Sequence, residues 1–534
     1  MFEKNSLKKR IFAAIIAGTM IMSLSLTGCS NDDGTEESSK SGNASSTSEV
    51  SETSVVPQFG GNISVKSQNF SVPLPIMAYL FNYNYQSYLN YYETYMTAYY
   101  DFDASVDLKE QYYDESTGET WYDFFMDKTI EYISETLILA EAAKAEGMEL
   151  DESELQAIDD NMQSLAETAE SKEMTVEEYI TKYYGEDVTQ EYIEECLKLT
   201  SLAQKYYNKV YNGYEYSDEE YEAYYEENKT SYQYADFLVY SFNVEYGENA
   251  TDEEIEAADE KAKAYADALS NCKTEDEFKA YVKDYLEQNP DIITSTSTSS
   301  TDEESSMTDE EIEAAIEEAV ENILYEKYSY EVSSDVGTWV FDDSRKELDT
   351  TIVNGTDVYN VVMMIKTAYR DESTYKNVRH ILIKTSSYDT DEEAEAKANE
   401  VYQEWKDGEA TEETFAELAE KYSEDGGSNT NGGLYENIYQ GQMVTEFNDW
   451  CFDSSRKAGD TGIVKTSYGY HIMYFLGDTE AAWKVDVDED MRSADFNEDY
   501  QALQDKYTVE LDEDYLNTIK VFETSSEESG TTSE

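Results

Sequence analysis

Two histidines are the first feature of this sequence that could do chemistry. His380 and His471 are the only histidines among 534 residues. Taken alone, a histidine on a strand is more often a hydrogen-bonded core residue than a catalytic one. Asp425 is the third candidate, and because it precedes Gly426 it could equally be a turn residue. The surrounding elements must therefore decide between a structural and a catalytic interpretation.

The cysteines do not predict metal chemistry. Besides Cys29, which belongs to the N-terminal segment, the chain has Cys196, Cys272 and Cys451. An odd and widely spaced set gives neither a disulfide framework nor metal-ligand spacing. No segment has the loop pattern of an EF-hand calcium site either. We therefore expect no metal site and no cofactor.

The charge of the chain is extreme. Lys and Arg number 38 and Asp and Glu number 118, which gives a net charge of 38 − 118 = −80. This excludes an ordinary nucleic-acid binder, which needs cations for the phosphate backbone, and a basic patch for anionic lipids. The chain has 49 Tyr, so amphipathic rings must do much of the burial. At this length we expect two to four domains.

The N-terminus has the layout of an export signal over residues 1–28. Basic residues precede an apolar run at 11–26, which is short for a membrane span. The string LTGC at 26–29 resembles the bacterial lipobox, and the alternative is an uncleaved anchor with an incidental cysteine. The resemblance implies lipid attachment at Cys29 on the extracytoplasmic face of a bacterial cell membrane, which we expect to be Gram-positive. Residues 29–68 are rich in small polar residues and are predicted to be a disordered tether.

Residues 69–232 have the pattern of a helical module. Apolar residues recur at helical spacing from Tyr132 to Ala145, and Gly147 suits a C-terminal cap. Capping-box pairs also recur, namely Asp151 with Glu154, Thr175 with Glu178, and Ser217 with Glu220. The Tyr-rich stretch 83–100 favours a core helix face, and an aromatic surface for unfolded chains is the alternative.

An internal repeat follows the helical module. Residues 339–353 read WVFDDSRKELDTTIV and residues 450–464 read WCFDSSRKAGDTGIV, so ten of fifteen positions are identical at an offset of 111. We interpret this as a duplicated domain with copies at 233–370 and 374–478. Residues 479–534 are predicted to hold a weak helix and an acidic Ser/Thr tail. The fold class is therefore predicted to be α+β.

The second copy contains an ordered series of motifs over about a hundred residues. They are VRHILI at 378–383, FAELAEKYSED at 415–425, Gly432-Gly433, GQM at 441–443, Phe447, and YGYHI at 468–472. This series resembles the parvulin-type peptidyl-prolyl isomerases, also called the PpiC or rotamase family. His380 and His471 fall on the two positions where that family carries paired histidines, and Asp425 falls where it has Cys or Asp.

The resemblance implies a reaction and a set of roles. The reaction is cis/trans isomerisation of X–Pro peptide bonds. The catalytic residues would be His380, Asp425 and His471, with the two histidines side by side on adjacent strands. The substrate-binding residues would be Leu434, Met443, Phe447 and Tyr468. The four-residue spacing of Met443 and Phe447 would put both on one face of a helix, and a plain core role is the open alternative for this pair.

One departure from the family pattern concerns the substrate pocket. Residues 432–436 read GGLYE where the family reads Gly-Gly-Asp-Leu-Gly. Either the Asp is missing and Leu434 is the pocket Leu, or Tyr435 occupies that place. The alternatives differ in the floor of the pocket and hence in substrate preference.

A second departure concerns the first copy, which contains no histidine. Asn360 stands at the place of His471, and Phe237 or a neighbour stands at that of His380. A polar insert, 293–306, falls where the central loops of the family should be. We therefore expect the first copy to be a degenerate parvulin-like domain without the catalytic network.

The whole layout resembles the extracytoplasmic foldases typified by PrsA and SurA, with a helical segment followed by parvulin domains. In those proteins the helical segment cradles unfolded exported clients. The resemblance therefore implies unfolded exported proteins as partners, together with a membrane reached through the lipid anchor. The alternative is a holdase that binds the same clients without useful isomerase activity. A solute-binding lipoprotein would need a two-lobed α/β periodicity, which the sequence lacks.

Overall fold

The computed structural model describes residues 63–100, 102–247, 249–296, 307–329 and 335–521. The predicted signal peptide, Cys29 and most of the predicted tether lie outside these residues. Helices and strands are mixed along the described chain, and the fold is α+β as predicted. Among the described residues no helix is both long and apolar enough to cross a membrane.

The elements are numbered in chain order. The helices are α1 (Leu74–Tyr100), α2 (Trp121–Ala145), α3 (Glu152–Ser171), α4 (Val176–Tyr183), α5 (Gln190–Tyr211), α6 (Asp218–Tyr232), α7 (Asp252–Leu269), α8 (Glu275–Gln288), α9 (Asp291–Thr296), α10 (Asp309–Glu321), α11 (Asp335–Val340), α12 (Asp391–Asp407), α13 (Glu412–Tyr422), α14 (Thr445–Cys451), α15 (Ala482–Lys506) and α16 (Glu513–Leu516). The strands are β1 (Ile63–Lys66), β2 (Ser71–Pro73), β3 (Tyr112–Asp114), β4 (Glu119–Thr120), β5 (Gln233–Asn243), β6 (Leu324–Ser329), β7 (Thr350–Gly355), β8 (Val358–Arg370), β9 (Thr374–Lys384), β10 (Leu434–Ile438), β11 (Thr461–Lys465), β12 (Gly469–Ala481) and β13 (Glu510–Leu511).

Side-chain hydrogen bonds cap the N-termini of several helices in the N-terminal half. The Asp151 carboxylate accepts the backbone N–H of Glu154 at 3.0 Å, and the Glu154 carboxylate accepts that of Asp151 at 2.8 Å. These reciprocal bonds satisfy two otherwise unpaired donors at the start of α3. The capping boxes predicted at Thr175 and Ser217 form in the same way and are confirmed. Gly147 follows α2 with φ +73°, as a C-terminal cap requires.

A segment from the far end of the chain completes the helical module. Strand β13 pairs with β1, and β1 pairs with β2. Leu516 and Ile519 are buried in the hydrophobic cluster that contains Trp121. The Tyr122 hydroxyl lies 3.2 and 3.0 Å from the carbonyl oxygens of these two residues. The region predicted as a weak helix and tail thus contains the 25-residue α15 and a packed extension.

The described module begins earlier than the sequence predicts. The predicted tether runs to residue 68, whereas residues 63–66 form β1 and Val65 is fully buried. Glu141 on α2 fixes the turn that follows β1. Its carboxylate accepts the Ser67 hydroxyl at 2.7 Å and the Asn69 backbone N–H at 2.5 Å. A polar composition therefore misleads here, because partners about seventy positions away order the segment.

The two four-stranded sheets share one strand order, β6-β5-β8-β7 in the first and β10-β9-β12-β11 in the second. In the first sheet Val353 lies opposite Asn360, and in the second Val464 lies opposite His471. The register of the two hairpins is thus the same at the offset of 111. Asn360 thus occupies the place of His471, and that the first copy is a parvulin-like domain stays a prediction.

Matching hydrophobic clusters pack on the two sheets. The first contains Ala235, Val340, Val362 and Met364, and the second contains Val378, Cys451, Met473 and Phe475. If Ala235 is matched with Val378, then Phe237 stands at the place of His380. Phe237 is buried and stacks on Tyr325 with ring centroids 5.3 Å apart.

The repeated segment is a structural signature. In the first copy the Arg345 guanidinium lies over the Trp339 ring at 4.9 Å, and in the second Arg456 lies over Trp450 at 3.8 Å. An aspartate turn precedes each arginine, with Asp453 accepting the Ser455 backbone N–H at 2.8 Å in the second copy. These contacts explain why the Trp, Asp, Ser and Arg recur.

The chain divides into two compact units. One holds the described residues within 1–215, 380–434 and 492–534, and the other holds 216–379 and 435–491. The division passes through β9 and β10, so His380 and His471 belong to different units. The domain boundaries read from the sequence stay predictions.

Candidate functional site

His380 lies on β9, whose residues Val378, Ile381 and Ile383 are fully or almost fully buried. Three successive residues, Ile381, Leu382 and Ile383, are buried, which is typical of a strand covered on both faces. The His380 side chain is itself only 2% exposed. Its Nε2 atom lies 2.8 Å from Asp425 Oδ2 and 3.0 Å from Ser428 Oγ. A buried imidazole thus has partners that remove the cost of burying it.

The loop after α13 carries both partners of His380 and is bound to the end of β9. The Ser423 hydroxyl accepts the Leu382 backbone N–H at 3.1 Å. The Glu424 backbone N–H donates to the Leu382 carbonyl at 2.9 Å. These bonds extend the pairing of β9 into the loop and place Asp425 beside His380.

Gly433 closes the same loop against the backbone of His380. The His380 N–H donates to the Gly433 carbonyl, and the Gly433 N–H donates to the Ser428 carbonyl, each at 2.8 Å. Gly433 has φ +72°, and a Cβ atom there would lie 2.1 Å from the His380 carbonyl oxygen. The second glycine of the Gly-Gly motif is therefore required by close backbone approach.

The electrostatics of the site favour an ionised Asp425. The hydrogen bond from His380 holds the pKa of this carboxyl well below its usual range, against the effect of partial burial. Hydrogen bonds from the Ser428 hydroxyl and the Gly427 backbone N–H lower the pKa further. Asp425 is thus paired with a histidine, and a mere turn role does not account for this pairing.

His471 lies on β12 and is 5% exposed. Its Nε2 atom lies 2.9 Å from the Thr466 hydroxyl, and its ring meets Phe447 edge to face at 5.4 Å between centroids. Thr466 also accepts the backbone N–H of Tyr468 at 3.1 Å. The predicted pairing of His380 with His471 stays a prediction.

The residues predicted to bind substrate have different environments. Phe447 lies on α14 and is 3% exposed, and Met443 and Tyr435 are half-buried against the same hydrophobic cluster. Met443 precedes the first residue of α14, so the prediction that both residues share a helix face is wrong. The helix begins only at Thr445, so Met443 contacts the cluster from the loop that precedes the helix. Leu434 is half-buried at the start of β10.

Tyr468 is the exposed member of the predicted substrate-binding set. Its side chain is 61% exposed, on the turn between β11 and β12. An aromatic ring this open can contact a bound chain without rearrangement of the core. Its role in binding stays a prediction, as do the roles of Leu434, Met443 and Phe447.

Sequence reasoning missed Ser428 and Thr466, each within hydrogen-bonding distance of one histidine. Ser428 is fully buried and Thr466 is 6% exposed. A serine three residues after an aspartate suggests a turn, and nothing local indicates that its hydroxyl reaches a strand 48 positions away. Among the described residues no group of three or more side chains could hold a metal ion.

The described part of the first copy has no counterpart of the polar groups of this arrangement. Asn360 replaces His471 and is hydrogen-bonded with the Ser241 hydroxyl at 2.7 Å. Between α8 and β6, where the second copy has its Asp425 loop, the first copy carries α9 and α10. No carboxylate loop therefore corresponds to the one beside His380 in the described residues of this copy.

Comparisons with known protein families bear on the second copy. Residues 359–478 match the family model described as the PPIC-type PPIASE domain. The chain contains a PPIC-type PPIase domain. The matched range begins within β8 of the first sheet and ends within β12 of the second.

Similar proteins match about a fifth of the chain. The foldase protein PrsA 1 of Listeria innocua is 37% identical over 116 residues, which are 22% of this chain and 35% of that protein. The chaperone SurA of Pseudomonas savastanoi is 37% identical over 101 residues, which are 19% of this chain and 22% of that protein. The matched region thus spans about a third or less of these relatives.

Solved structures also match, among them a parvulin and a PrsA protein. The parvulin NmPin of Nitrosopumilus maritimus is 28% identical with a TM-score of 0.16, and the match covers 20% of this chain and 97% of that one. PrsA of Bacillus subtilis is 20% identical with a TM-score of 0.18, and the match covers 60% of this chain and 88% of that one.

Proposed function

We propose that this protein is an extracytoplasmic foldase that catalyses cis/trans isomerisation of X–Pro peptide bonds in exported proteins. The observation that carries the proposal is the pairing of buried His380 with partly buried Asp425 on a PPIC-type domain. A buried imidazole beside a partly buried carboxylate is costly unless the two groups are hydrogen-bonded to each other. Their combination with the parvulin motifs favours a site built for a rotating amide.

The reaction needs no nucleophile and no proton transfer. An X–Pro bond isomerises over a barrier of roughly 18–20 kcal/mol, and twisting the amide removes its resonance. An enzyme accelerates this step by binding the twisted amide better than either planar form. In the proposal, His380, Asp425 and His471 form a fixed polar network facing the amide. The apolar side chains of Leu434, Met443 and Phe447 grip the proline ring, and Tyr468 contacts the chain beside it.

The rest of the chain would serve the client and the membrane. In this proposal the helical module holds unfolded exported proteins, and lipid on Cys29 keeps the protein at the outer face of a membrane. The resemblance of residues 26–29 to a lipobox supports the anchor. A lipid attached there would stabilise membrane attachment by about 0.8 kcal/mol per buried CH₂. Replacing Cys29 with Ala should abolish lipid labelling, whereas normal labelling of that variant would contradict the anchor.

The isomerase proposal is tested on the full chain with an Ala-Pro peptide by exchange NMR, which needs no protease. We expect His380→Ala and His471→Ala to lower kcat/KM and also the unfolding midpoint. Each removes one hydrogen bond from a buried partner, at a cost of about 1–3 kcal/mol. Asn360→Ala is the matched control, since it changes the same strand position in the first copy.

The outcomes separate the two interpretations of the protein. Loss of rate in the histidine variants, with a normal rate in Asn360→Ala, supports catalysis by the second copy. A parent protein that binds unfolded chains without accelerating isomerisation would instead be a holdase. Equal rates in all variants would show that the histidines are only structural.

A further inference from the structure

Ser428 is a fully buried side chain between the two charged or titratable groups of the site. Its hydroxyl donates to Asp425 Oδ2 at 2.6 Å, and the same oxygen lies 3.0 Å from His380 Nε2. Asp425 Oδ2 and His380 Nε2 are themselves 2.8 Å apart. The three atoms therefore form a closed triangle of hydrogen-bonding distances.

Only one placement of hydrogen atoms satisfies all three contacts of this triangle when Asp425 is ionised. A serine hydroxyl has one hydrogen and an ionised carboxylate has none. Because the hydrogen of Ser428 points to Asp425, its oxygen can only accept from His380. The Nε2 atom must then carry a hydrogen, and in a neutral imidazole the Nδ1 atom is left as an acceptor.

We propose that Ser428 is a positioning residue that holds His380 as its Nε2–H tautomer and aligns Asp425 on that hydrogen. This inference rests on the proposed isomerase function for its kinetic consequence, but its structural part stands on the triangle alone. The backbone of Ser428 contributes to the same end, because its carbonyl accepts the Gly433 N–H at 2.8 Å. Ser428 therefore links the Gly-Gly turn, the carboxylate and the imidazole.

The chain is well suited to a direct test by NMR, since it has only two histidines. Labelling the full chain with ¹⁵N-histidine gives two imidazoles, and the His471→Ala variant assigns them. We expect His380 to carry hydrogen on Nε2 with Nδ1 unprotonated, and its Nε2–H to exchange slowly with water. A His380 protonated only on Nδ1 would overturn the proposal.

Two substitutions of Ser428 test how much the hydrogen bonds of its hydroxyl contribute. In Ser428→Ala we expect the Nε2–H signal to exchange at least tenfold faster with water. We also expect kcat to fall about tenfold, a loss of about 1.4 kcal/mol of transition-state stabilisation, with little change in KM because the apolar grip is untouched. Ser428→Cys keeps the approximate volume with a weak donor and should lie between parent and Ala. A Cys variant equal to the parent in both measurements would contradict the role of the hydroxyl.

Ser423→Ala is the matched control within the same loop. Ser423 is also buried, but its hydroxyl accepts the backbone N–H groups of Leu382 and Asp425. We expect this variant to lose stability while His380 keeps its slowly exchanging Nε2–H. If Ser423→Ala changes that signal as much as Ser428→Ala does, any loosening of the loop suffices and the proposal fails. If the parent shows no isomerase activity, the proposed function fails while the NMR result still decides the role of Ser428.

Discussion

At the residue scale, the charge of Asp425 links the stability of the site to pH. Its carboxyl has a depressed pKa in the folded chain, chiefly because of the hydrogen bond from His380. A carboxyl with a lowered folded pKa stabilises the fold at pH values above its unfolded pKa, which is about 3.9 for Asp. That contribution is lost as the pH falls through the folded value.

We therefore expect Asp425→Asn to be less stable than the parent at pH 7, with the difference shrinking on acidification below about pH 4. Thermal unfolding of both proteins between pH 7 and pH 3 measures this difference. Asp449→Asn is the control, because Asp449 is exposed on α14. A difference between parent and Asp425→Asn that is constant with pH would show that the charge of Asp425 does not matter.

Phe447 allows a second prediction at this scale. Its ring is buried in the hydrophobic cluster of the second copy and meets His471 edge to face. Replacing it with Ala should lower kcat/KM on an Ala-Pro peptide about ten- to a hundredfold. This estimate assumes that about 1.5–3 kcal/mol of apolar grip is lost. The matched control is Val336→Ala, at the corresponding position of the first copy, and it should leave kcat/KM unchanged. Equal effects of the two substitutions would point to general destabilisation.

At the element scale, the two copies have the same sheet but differ in the loop that lies beside the histidine of the candidate site. Strand order and hairpin register are the same in both copies. The copies differ in the connection that precedes the edge strand, which is β6 in the first copy and β10 in the second. In the second copy this connection is the loop that carries Asp425, and in the described residues of the first copy it contains the helices α9 and α10. Strands position the histidines, but the loop supplies the partners of His380.

This difference predicts that a histidine alone cannot activate the first copy. In the full chain, His380→Ala combined with Asn360→His should be as inactive as His380→Ala. The described residues of the first copy contain no counterpart of the Asp425 loop, and buried Phe237 stands at the other histidine position. Exchange NMR on an Ala-Pro peptide measures the residual rate, and circular dichroism checks folding. A regained rate in the double variant would contradict the inert role of this copy.

The C-terminal extension is the second element whose role can be measured. Leu516 on α16 is 2% exposed in the core of the helical module, whereas Leu511 on β13 is 40% exposed. We expect Leu516→Ala to lower the free energy of unfolding by about 2–5 kcal/mol. Leu511→Ala should change it by no more than about 0.5 kcal/mol. Urea unfolding followed by tryptophan fluorescence is suitable, since Trp121 lies in the same cluster. Equal small effects would show that the extension is peripheral.

At the scale of the whole molecule, tyrosine hydroxyls replace many of the missing cations. With 118 acidic and 38 basic residues, most carboxylates have no cation available. On α15, Asp488 accepts the Tyr221 hydroxyl at 2.6 Å and Asp486 accepts that of Tyr375 at 2.9 Å. A phenol pairs with a carboxylate without adding charge, so the chain packs its helices while staying strongly anionic.

The same charge should influence which clients bind first. A net charge of −80 attracts cationic chains and repels anionic ones over roughly the Debye length, about 8 Å at physiological salt. We expect an unfolded cationic peptide to associate at least tenfold faster than an anionic peptide of equal length at low salt. Stopped-flow measurements at 20 and 500 mM NaCl bracket the physiological ionic strength of about 0.15 M. The preference for the cationic peptide should be smaller at the higher salt concentration. Rates that do not depend on salt would show that client capture is not electrostatic.

Patterns that are local in the sequence determined much of this protein. Capping boxes such as Asp151 with Glu154 need only a spacing of three residues, and the duplication is visible in the 111-residue offset of two segments. The parvulin motifs placed His380 and Asp425 in one site, and the structure brings these residues together. These features could be predicted because their physical cause lies in short-range hydrogen bonding or in a repeated core.

Only the tertiary structure decided the contacts between distant parts of the chain. The bond of Ser428 with His380, the start of α14 after Met443, and the return of Leu516 to the N-terminal core have no local signal. Each is settled by burial, because a side chain excluded from water must find a partner wherever the fold supplies one. Sequence periodicity fixes which face of an element is buried, and the packing of whole elements fixes what that face meets.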